Sequence, residues 1–578
     1  MDRVQLIAIA LGVGILMYWF TTMPQRPSSP SPVVTQRGEA RPPPSAPGTP
    51  SISPVTQPER ASSPTPDENL TQFETAVLEN DALRLEVSAR GGRLLSVKLK
   101  QYRASLDESA EPLELVTVPD RGTLLAFLGE GAFARFESET HRIVRSEPRE
   151  VELRAVRDGI EVRRILSLDD AGYGARLRVR VENHTDELVH PAFQLVWYGQ
   201  ARPSRAPDHL QVYSLVASVD GDVERTPLQA VSPFGCAGGG GGPKAKELSR
   251  PLEWGGIDSR YFMTVAIAEA PRDASGYQGP IGRDAGQSVL SYPPFELPPG
   301  GHVERNYRLY LGPKLRSEVD SVEPSLEPAL RVGWVWVRPL VELFVDMLSW
   351  TYKHVIANYG VAIMILTFLV RLATFPLTQR SMKSMQSVSV VAPEMKALQE
   401  KYKEDKARLQ QEMMALYKRK GINPLTAMGG GCVLMLIQMP FLLALYFALQ
   451  SSIELRHAPF MLWIQDLSAP EDFFAIAGLP IRPLPLMMGA SMVLQQRLMP
   501  SPNVDPQQRQ MMMWMSVFFI FLFYSFASGL VLYWFVSNLL AIGQQLLIRR
   551  KKEMATGTQK ASARKTGVQK TAPQTRKT

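Results

Sequence analysis

Two hydrophobic rhythms divide the chain. Between about Phe73 and Lys314, apolar residues alternate with polar ones or gather in β-branched runs, as in LRLEVSARGGRLLSVKLKQY, YGARLRVRVENH, FQLVWYG, RYFMTVAIAEA and ERNYRLYLG. A period of two suits a half-buried strand, because successive side chains point to opposite faces. The spacing of these segments, with turn residues between them, predicts an all-β sandwich over residues 71–315.

Beyond that module the period lengthens. Leu340, Leu343, Phe344, Met347 and Leu348 fall at helical spacing opposite Glu342 and Asp346, which predicts an amphipathic helix over 334–353. Such a helix can lie on a membrane surface or pack on the β-module, and the spacing allows both. Five apolar runs follow: Ile356 to Pro376, Met428 to Gln450, Leu484 to Gln496, Met511 to Phe526 and Leu530 to Ile548. Each is a candidate membrane span. The third falls short of the roughly 17 to 25 residues a span needs, so it is either re-entrant or set in a locally thin bilayer. Arg482, between Pro480 and Pro483, is assigned to the loop before it.

Between the first two runs lies APEMKALQEKYKEDKARLQQEMMALYKRKGINP. Met395, Leu398 and Tyr402, then Leu409, Met413 and Leu416, keep helical spacing on either side of a charged break at Glu404 and Asp405. Gly421, Asn423 and Pro424 stop the second helix. The segment 379–424 therefore predicts a helical hairpin too hydrophilic to insert. It is either a solvated connector or a docking surface, with Glu404 and Asp405 as the candidate docking residues.

A sixth apolar stretch, Val4 to Phe20, follows Arg3 near the start of the chain. Tyr18, Trp19 and Phe20 stand where a cleavable signal needs small residues, which favours an uncleaved anchor over residues 1–23. Residues 24–70, rich in Pro and Ser, cannot bury enough surface to fold and predict an extended spacer.

The mean hydropathy of −0.09 thus averages a polar and an apolar half of the 578 residues. The net charge of +8 suggests nucleic acid until it is located: residues 551–578 with Arg549 and Arg550 hold about ten Lys or Arg against Glu553. That flexible cationic tail suits anionic lipid or ribosomal RNA. Charge also sets the topology. The loop from Leu377 to Ala427 holds about ten basic residues, whereas Ser451 to Asp472 holds Arg456 and His457 against Glu454, Asp466, Glu471 and Asp472. The first loop is expected in the cytoplasm and the second outside. Six spans then leave both termini cytoplasmic and the β-module periplasmic.

Arg371 is the one charge inside the runs, in AIMILTFLVRLATFPL. An ionisable residue within a span is a functional candidate, because its burial in lipid costs several kcal/mol. The competing reading is that it snorkels, since it lies only about 7 to 8 Å from Pro376 at the cytoplasmic end. Thr367, Arg371, Thr374 and Thr378 form one polar stripe along the helix. Gln438, Gln495, Gln496, Ser537, Asn538, Gln544 and Gln545 add polar groups to other runs, as helix–helix contacts or as lining of a cavity. None is a carboxylate, which argues against a proton relay. The two cysteines, Cys236 and Cys432, exclude a disulfide framework and are not spaced as metal ligands. Gly238 to Gly242 lacks the Gly-Lys-Ser/Thr ending of a phosphate loop and predicts a flexible loop. No catalytic motif is found, so no cofactor or metal and no enzyme activity is expected.

The segments ILTFLVRLATFPLT, LQQEMMALYKRKGINPL, LIQMPFLLALYFAL, ELRHAPFMLWIQDLS and SGLVLYWFVSNLLAIGQQ closely resemble the insertase family that includes bacterial YidC and its mitochondrial and chloroplast relatives. GGRLLSVKL and YRLYLGPK are similar to the periplasmic domain of the Gram-negative form. The resemblance implies an α-helical polytopic membrane protein with six transmembrane helices, five of them forming an insertase core over 354–550, plus an all-β periplasmic supersandwich. It implies a hydrophilic groove in which Arg371 matches the groove arginine, with Thr367, Gln438 and Gln495 beside it, and Tyr533 and Trp534 as an aromatic pair that contacts substrate. Its implied partners are nascent membrane proteins, the ribosome, the Sec translocon and membrane lipids, in the bacterial inner membrane. The other function classes the residues allow are a secondary transporter, which requires internal repeats, and a membrane-tethered periplasmic binding module.

Overall fold

The alternating half of the chain closes into antiparallel sheets. The computed structural model describes residues 73–547 apart from 108, 119–123, 129–135, 137, 201–213, 229–243, 283–284, 404, 422–423, 472, 477–478 and 499–505. The expected anchor, Pro/Ser-rich spacer, glycine run and basic tail lie outside the described residues, as does Glu404.

Nine strands make the largest sheet. Their spatial order is Asp222–Pro227, Ser214–Val219, Leu252–Asp258, Phe262–Ala268, His302–Pro313, Gly174–Asn183, Ile160–Leu168, Glu150–Arg157 and Arg142–Glu147. Long in-register ladders hold its centre, running from Ile160↔Asn183 to Leu168↔Ala175 and from His302↔Glu182 to Tyr310↔Gly174. A five-stranded sheet that includes Phe193–Gln200 packs over it, and a four-stranded sheet begins at Thr75–Glu79. Leu177, Val179 and Val181 meet Phe193, Leu195, Trp197 and Trp254 in one apolar core. Full burial stabilises each such side chain by roughly 1.5 to 3 kcal/mol. The all-β module expected from the period-two pattern is therefore present.

The remaining chain is helical: α1 (Arg338–His354), α2 (Tyr359–Lys401), α3 (Lys406–Arg419), α4 (Pro424–Ser451), α5 (Pro483–Leu498), α6 (Pro506–Phe523) and α7 (Ser528–Leu547). Among the described residues, Tyr359–Pro376 and Ser528–Leu547 are long and apolar enough to cross a membrane. Helix α1 packs on α2 and α4 through Val341, Phe344 and Leu348, so the β-module is not its seat. Leu343 and Trp350, on its other side, are exposed.

Two boundaries differ from expectation. The first apolar run and the first arm of the hairpin are one 43-residue helix, α2, which carries Pro376 and Pro393 inside it. At 1.5 Å per residue it is about 64 Å long, twice the hydrocarbon thickness of roughly 30 Å. Proline removes one N–H from the ladder, and here that loss does not break the helix. Pro424, expected only to stop a helix, is the first residue of α4, where a missing N–H costs no intrahelical bond. Gly421 makes the reversal before it at φ +64°, a backbone conformation side chains disfavour. The hairpin closes on Val391, Met395, Leu398, Met413, Leu416 and Tyr417. Tyr402 instead lies beneath Lys401 and Arg408.

The helices pack tightly at one end. Ala362, Ile363, Leu366, Ala444, Leu445, Ala448, Leu449, Leu530 and Leu532 are buried together there with Leu455, Ile464 and Leu467 of the loop after α4. The β-module contacts the same end: Arg260 donates from Nε to the Gln450 carbonyl at 3.1 Å, from Nη1 to Ser468 at 3.3 Å and from Nη2 to Leu449 at 3.4 Å.

Candidate functional site

Away from that packed end, residues of α2, α4 and α7 surround a small space at Arg371. The guanidinium reaches α7, where Nε and Nη2 donate to Ser537 Oγ at 2.9 and 2.6 Å. Ser537 is buried. Among the described residues no carboxylate lies within ion-pairing distance of Arg371, so its partner is a neutral hydroxyl. A half-buried cation with so little compensation costs more than a surface one, and a site that keeps one is suited to an anionic or strongly polar visitor.

Two spaces meet at this side chain. A small cavity of about 20 Å³ is lined by Val370, Arg371, Thr374, Thr378, Gln438, Phe441 and Tyr533. A larger crevice of about 560 Å³ runs between α2 and α7, lined by Phe368, Arg371, Leu372, Phe375, Gln379, Leu539, Leu540, Gly543, Gln544 and Leu547. The crevice is apolar along its walls and polar at Arg371, Gln379 and Gln544. Gln544 Nε2 is buried without a hydrogen-bond acceptor there.

The candidate residues divide. Gln438 and Tyr533 join Arg371 at the small cavity, with the Tyr533 side chain against those of Gln438 and Ser537. Thr367 is fully buried toward the packed end and lines neither space. Its Oγ1 donates to the Ile363 carbonyl at 2.6 Å, Thr374 donates to Val370 at 2.8 Å, and Thr378 to Thr374 at 2.9 Å. The threonine stripe thus spends its hydroxyl protons on its own helix and offers a visitor acceptors only. Trp534 turns away from Arg371 to pack against Phe523 and Phe519, with ring centroids 4.8 and 5.9 Å apart. One residue along a helix turns the side chain by about 100°, so neighbours cannot share a narrow groove. Gln495 lines neither space, while Gln496 donates to Ser516 Oγ of α6 at 2.7 Å. Asp405 is exposed and caps α3 by accepting from Arg408 N at 3.0 Å. Ser537 and Gln544 were legible as polar positions in the last run, but nothing in the sequence singled them out as partner and lining of Arg371. Asn538, next to them, joins α7 to α5 through Ser491 Oγ at 3.0 Å.

In the β-module, Glu161, Glu182 and His184 bring ligand-type atoms within 4.8 Å of one another. Arg154 and Arg163 already occupy the Glu161 carboxylate at 2.7 and 2.6 Å, a charge balance that opposes a cation.

Comparison with known proteins finds the family model described as the 60Kd inner membrane protein over residues 350–556. The model of the YidC periplasmic domain matches residues 75–343. The chain belongs to the YidC family of membrane protein insertases. The YidC membrane protein insertase of Syntrophus aciditrophicus is 32% identical over 570 residues, covering 95% of this chain and all of that protein. That of Pelobacter propionicus is 36% identical over 479 residues, covering 80% of this chain and 84% of its own length. A crystal structure of active YidC insertase with the first transmembrane domain resolved aligns with 82% of this chain and 92% of that one, at 16% identity and a TM-score of 0.35. The β-module is accordingly the YidC periplasmic domain of an inner-membrane insertase whose substrates are membrane proteins. YidC insertases are not an enzyme family, and membership replaces the transporter and tethered-module readings.

Proposed function

We propose that the crevice between α2 and α7 receives the polar part of an incoming membrane protein, with Arg371 as the charge that draws it in. The observation that carries this reading is the half-buried guanidinium whose hydrogen-bond partner is a hydroxyl and which opens onto both spaces. A polar segment placed beside Arg371, Gln438 and Gln544 sheds less hydration than one placed in lipid, which shortens the apolar distance it must cross. The apolar part of the substrate slides along Phe368, Leu372, Leu539 and Leu547 into the bilayer, driven by burial of its own surface. Five core helices after an N-terminal anchor, with both termini and the hairpin in the cytoplasm, fit the charge distribution. The hairpin and basic tail are offered to the ribosome and anionic lipid, and the protein works alone or beside the Sec translocon. The test is complementation of a depletion strain. Arg371→Ala is expected to fail for substrates with acidic translocated tails and Arg371→Lys to restore part of the activity; full insertion by Arg371→Ala removes the arginine from the mechanism.

A further inference from the structure

The cavity beside Arg371 stops at Phe441 and Tyr533, and the apolar helix ends beyond it are roofed by one segment of chain. Residues 456–471 cross the β-module end of the helices and are tied to the starts of α2 and α7. Asn358, which caps α2, donates to the Phe460 carbonyl at 3.0 Å. At the start of α7, Ser528 Oγ donates to the Asp466 carbonyl at 2.7 Å, and the amides of Ser528 and Gly529 bond to Ala469 and Leu467 at 2.8 and 2.9 Å.

At the far end of the loop stands Glu471, a buried carboxylate. Oε2 accepts from the Trp463 indole N–H at 2.5 Å, and Oε1 accepts from the backbone N–H of Leu484 in the first turn of α5. Arg482 binds the Glu471 carbonyl from Nε at 3.1 Å and the Tyr524 carbonyl, just past α6, from Nη1 at 2.5 Å. The Tyr524 hydroxyl in turn donates to the Pro480 carbonyl. A carboxylate at a helix N-terminus also opposes the positive end of the helix dipole. The Glu471 side chain therefore joins the roof to the start of the short helix, while its backbone carbonyl, through Arg482, reaches the end of the neighbouring helix.

We propose that Glu471 is the positioning residue that seals the groove on the periplasmic side, by holding residues 456–471 and the start of α5 over the helix ends. The proposal goes beyond the groove reading and does not require Arg371 to bind substrate. A polar segment leaving the groove must displace this seal, so its strength sets how tightly the membrane is kept closed between insertions.

The test is side-resolved labelling of the full chain with Cys236 and Cys432 replaced by serine. The reporter is Val370→Cys, a near-isosteric change on the small cavity, and the probe an anionic, membrane-impermeant methanethiosulfonate. Applied to spheroplasts it reaches the periplasmic face, and applied to inverted vesicles the cytoplasmic one. Glu471→Ala is expected to raise periplasmic labelling roughly tenfold or more, since tenfold corresponds to about 1.4 kcal/mol, the lower part of the cost of leaving buried donors unpaired. Cytoplasmic labelling stays at the parent rate. Glu471→Gln, which keeps one acceptor oxygen, falls between parent and Ala. Periplasmic labelling of Glu471→Ala at the parent rate overturns the proposal. An equal rise from both faces also overturns it, because that is loss of the fold and not of the seal.

Discussion

Arg260 of the periplasmic domain is the side chain whose removal most directly loosens that domain from the helices. Its three donors satisfy the Leu449 and Gln450 carbonyls, left without intrahelical partners at the end of α4, and the Ser468 carbonyl in the roof loop. The guanidinium also stacks on Tyr261, 4.7 Å from the ring centroid, and its charge complements the negative end of the helix dipole. Hydrogen bonds from a charged donor contribute roughly 1.5 to 3 kcal/mol each when well formed. These span 3.1 to 3.4 Å and the side chain is half-buried, so water replaces part of the loss on truncation. A net cost of about 2 kcal/mol for Arg260→Ala follows, which is roughly a thirtyfold change in a local opening equilibrium. Hydrogen–deuterium exchange of the full chain is the assay. Peptides covering Ala444 to Ser468 are expected to exchange roughly thirtyfold faster in Arg260→Ala, with Arg260→Lys between, because an ammonium cannot span three carbonyls. Unchanged protection in that segment would refute the clamp.

Other perturbations follow from the same geometry. Gly360→Ala replaces a poor helix former near the start of α2, yet the added Cβ would overlap the Phe460 ring. Overpacking of this kind costs roughly 1 to 3 kcal/mol. The variant is expected to lower the thermal midpoint, and a rise would show that Phe460 yields freely. In the periplasmic domain, burial and then the nearby Arg164 push the His141 imidazole down to about 3. The unfolded chain takes up that proton near pH 6.5 while the folded domain does not, so stability is full above about 6.5 and falls as pH drops toward 3. Urea midpoints at successive pH values check this, and His141→Gln is expected to flatten the fall. An equal slope in both proteins would assign the acid sensitivity to other groups.

Much of this architecture is written in local periodicity. Alternation in segments such as Gly174–Asn183 names the strands because a sheet with one buried face demands it. The helices were equally visible, but their limits were not. Pro376 reads as an end, and only tertiary packing shows that α2 continues past it. The site was legible in part for a similar reason. Arg371 stands out because a charge in an apolar run is conspicuous, whereas its partner Ser537 lies 166 positions away and is one of several ordinary polar residues. Helical spacing puts Thr374 and Thr378 on the face of Arg371, where both line its cavity, but it does not show that Thr367 lines neither space, nor where a hydroxyl proton goes. Tyr533 and Trp534 looked like a pair, and the helical turn between them sends one to the arginine and the other to Phe523. In the sequence Glu471 is one negative charge among several in an external loop, since its three contacts depend on a fold no local pattern encodes.

The groove itself is tested most directly by photo-crosslinking from single positions of α7 to a ribosome-tethered nascent membrane protein. Leu540 lines the crevice beside Arg371, while Trp534 is packed against Phe519 and Phe523. A photoreactive residue at Leu540 should capture the nascent chain, and one at Trp534 should not. Capture from Trp534 without capture from Leu540 would contradict the crevice between α2 and α7 as the path of the substrate.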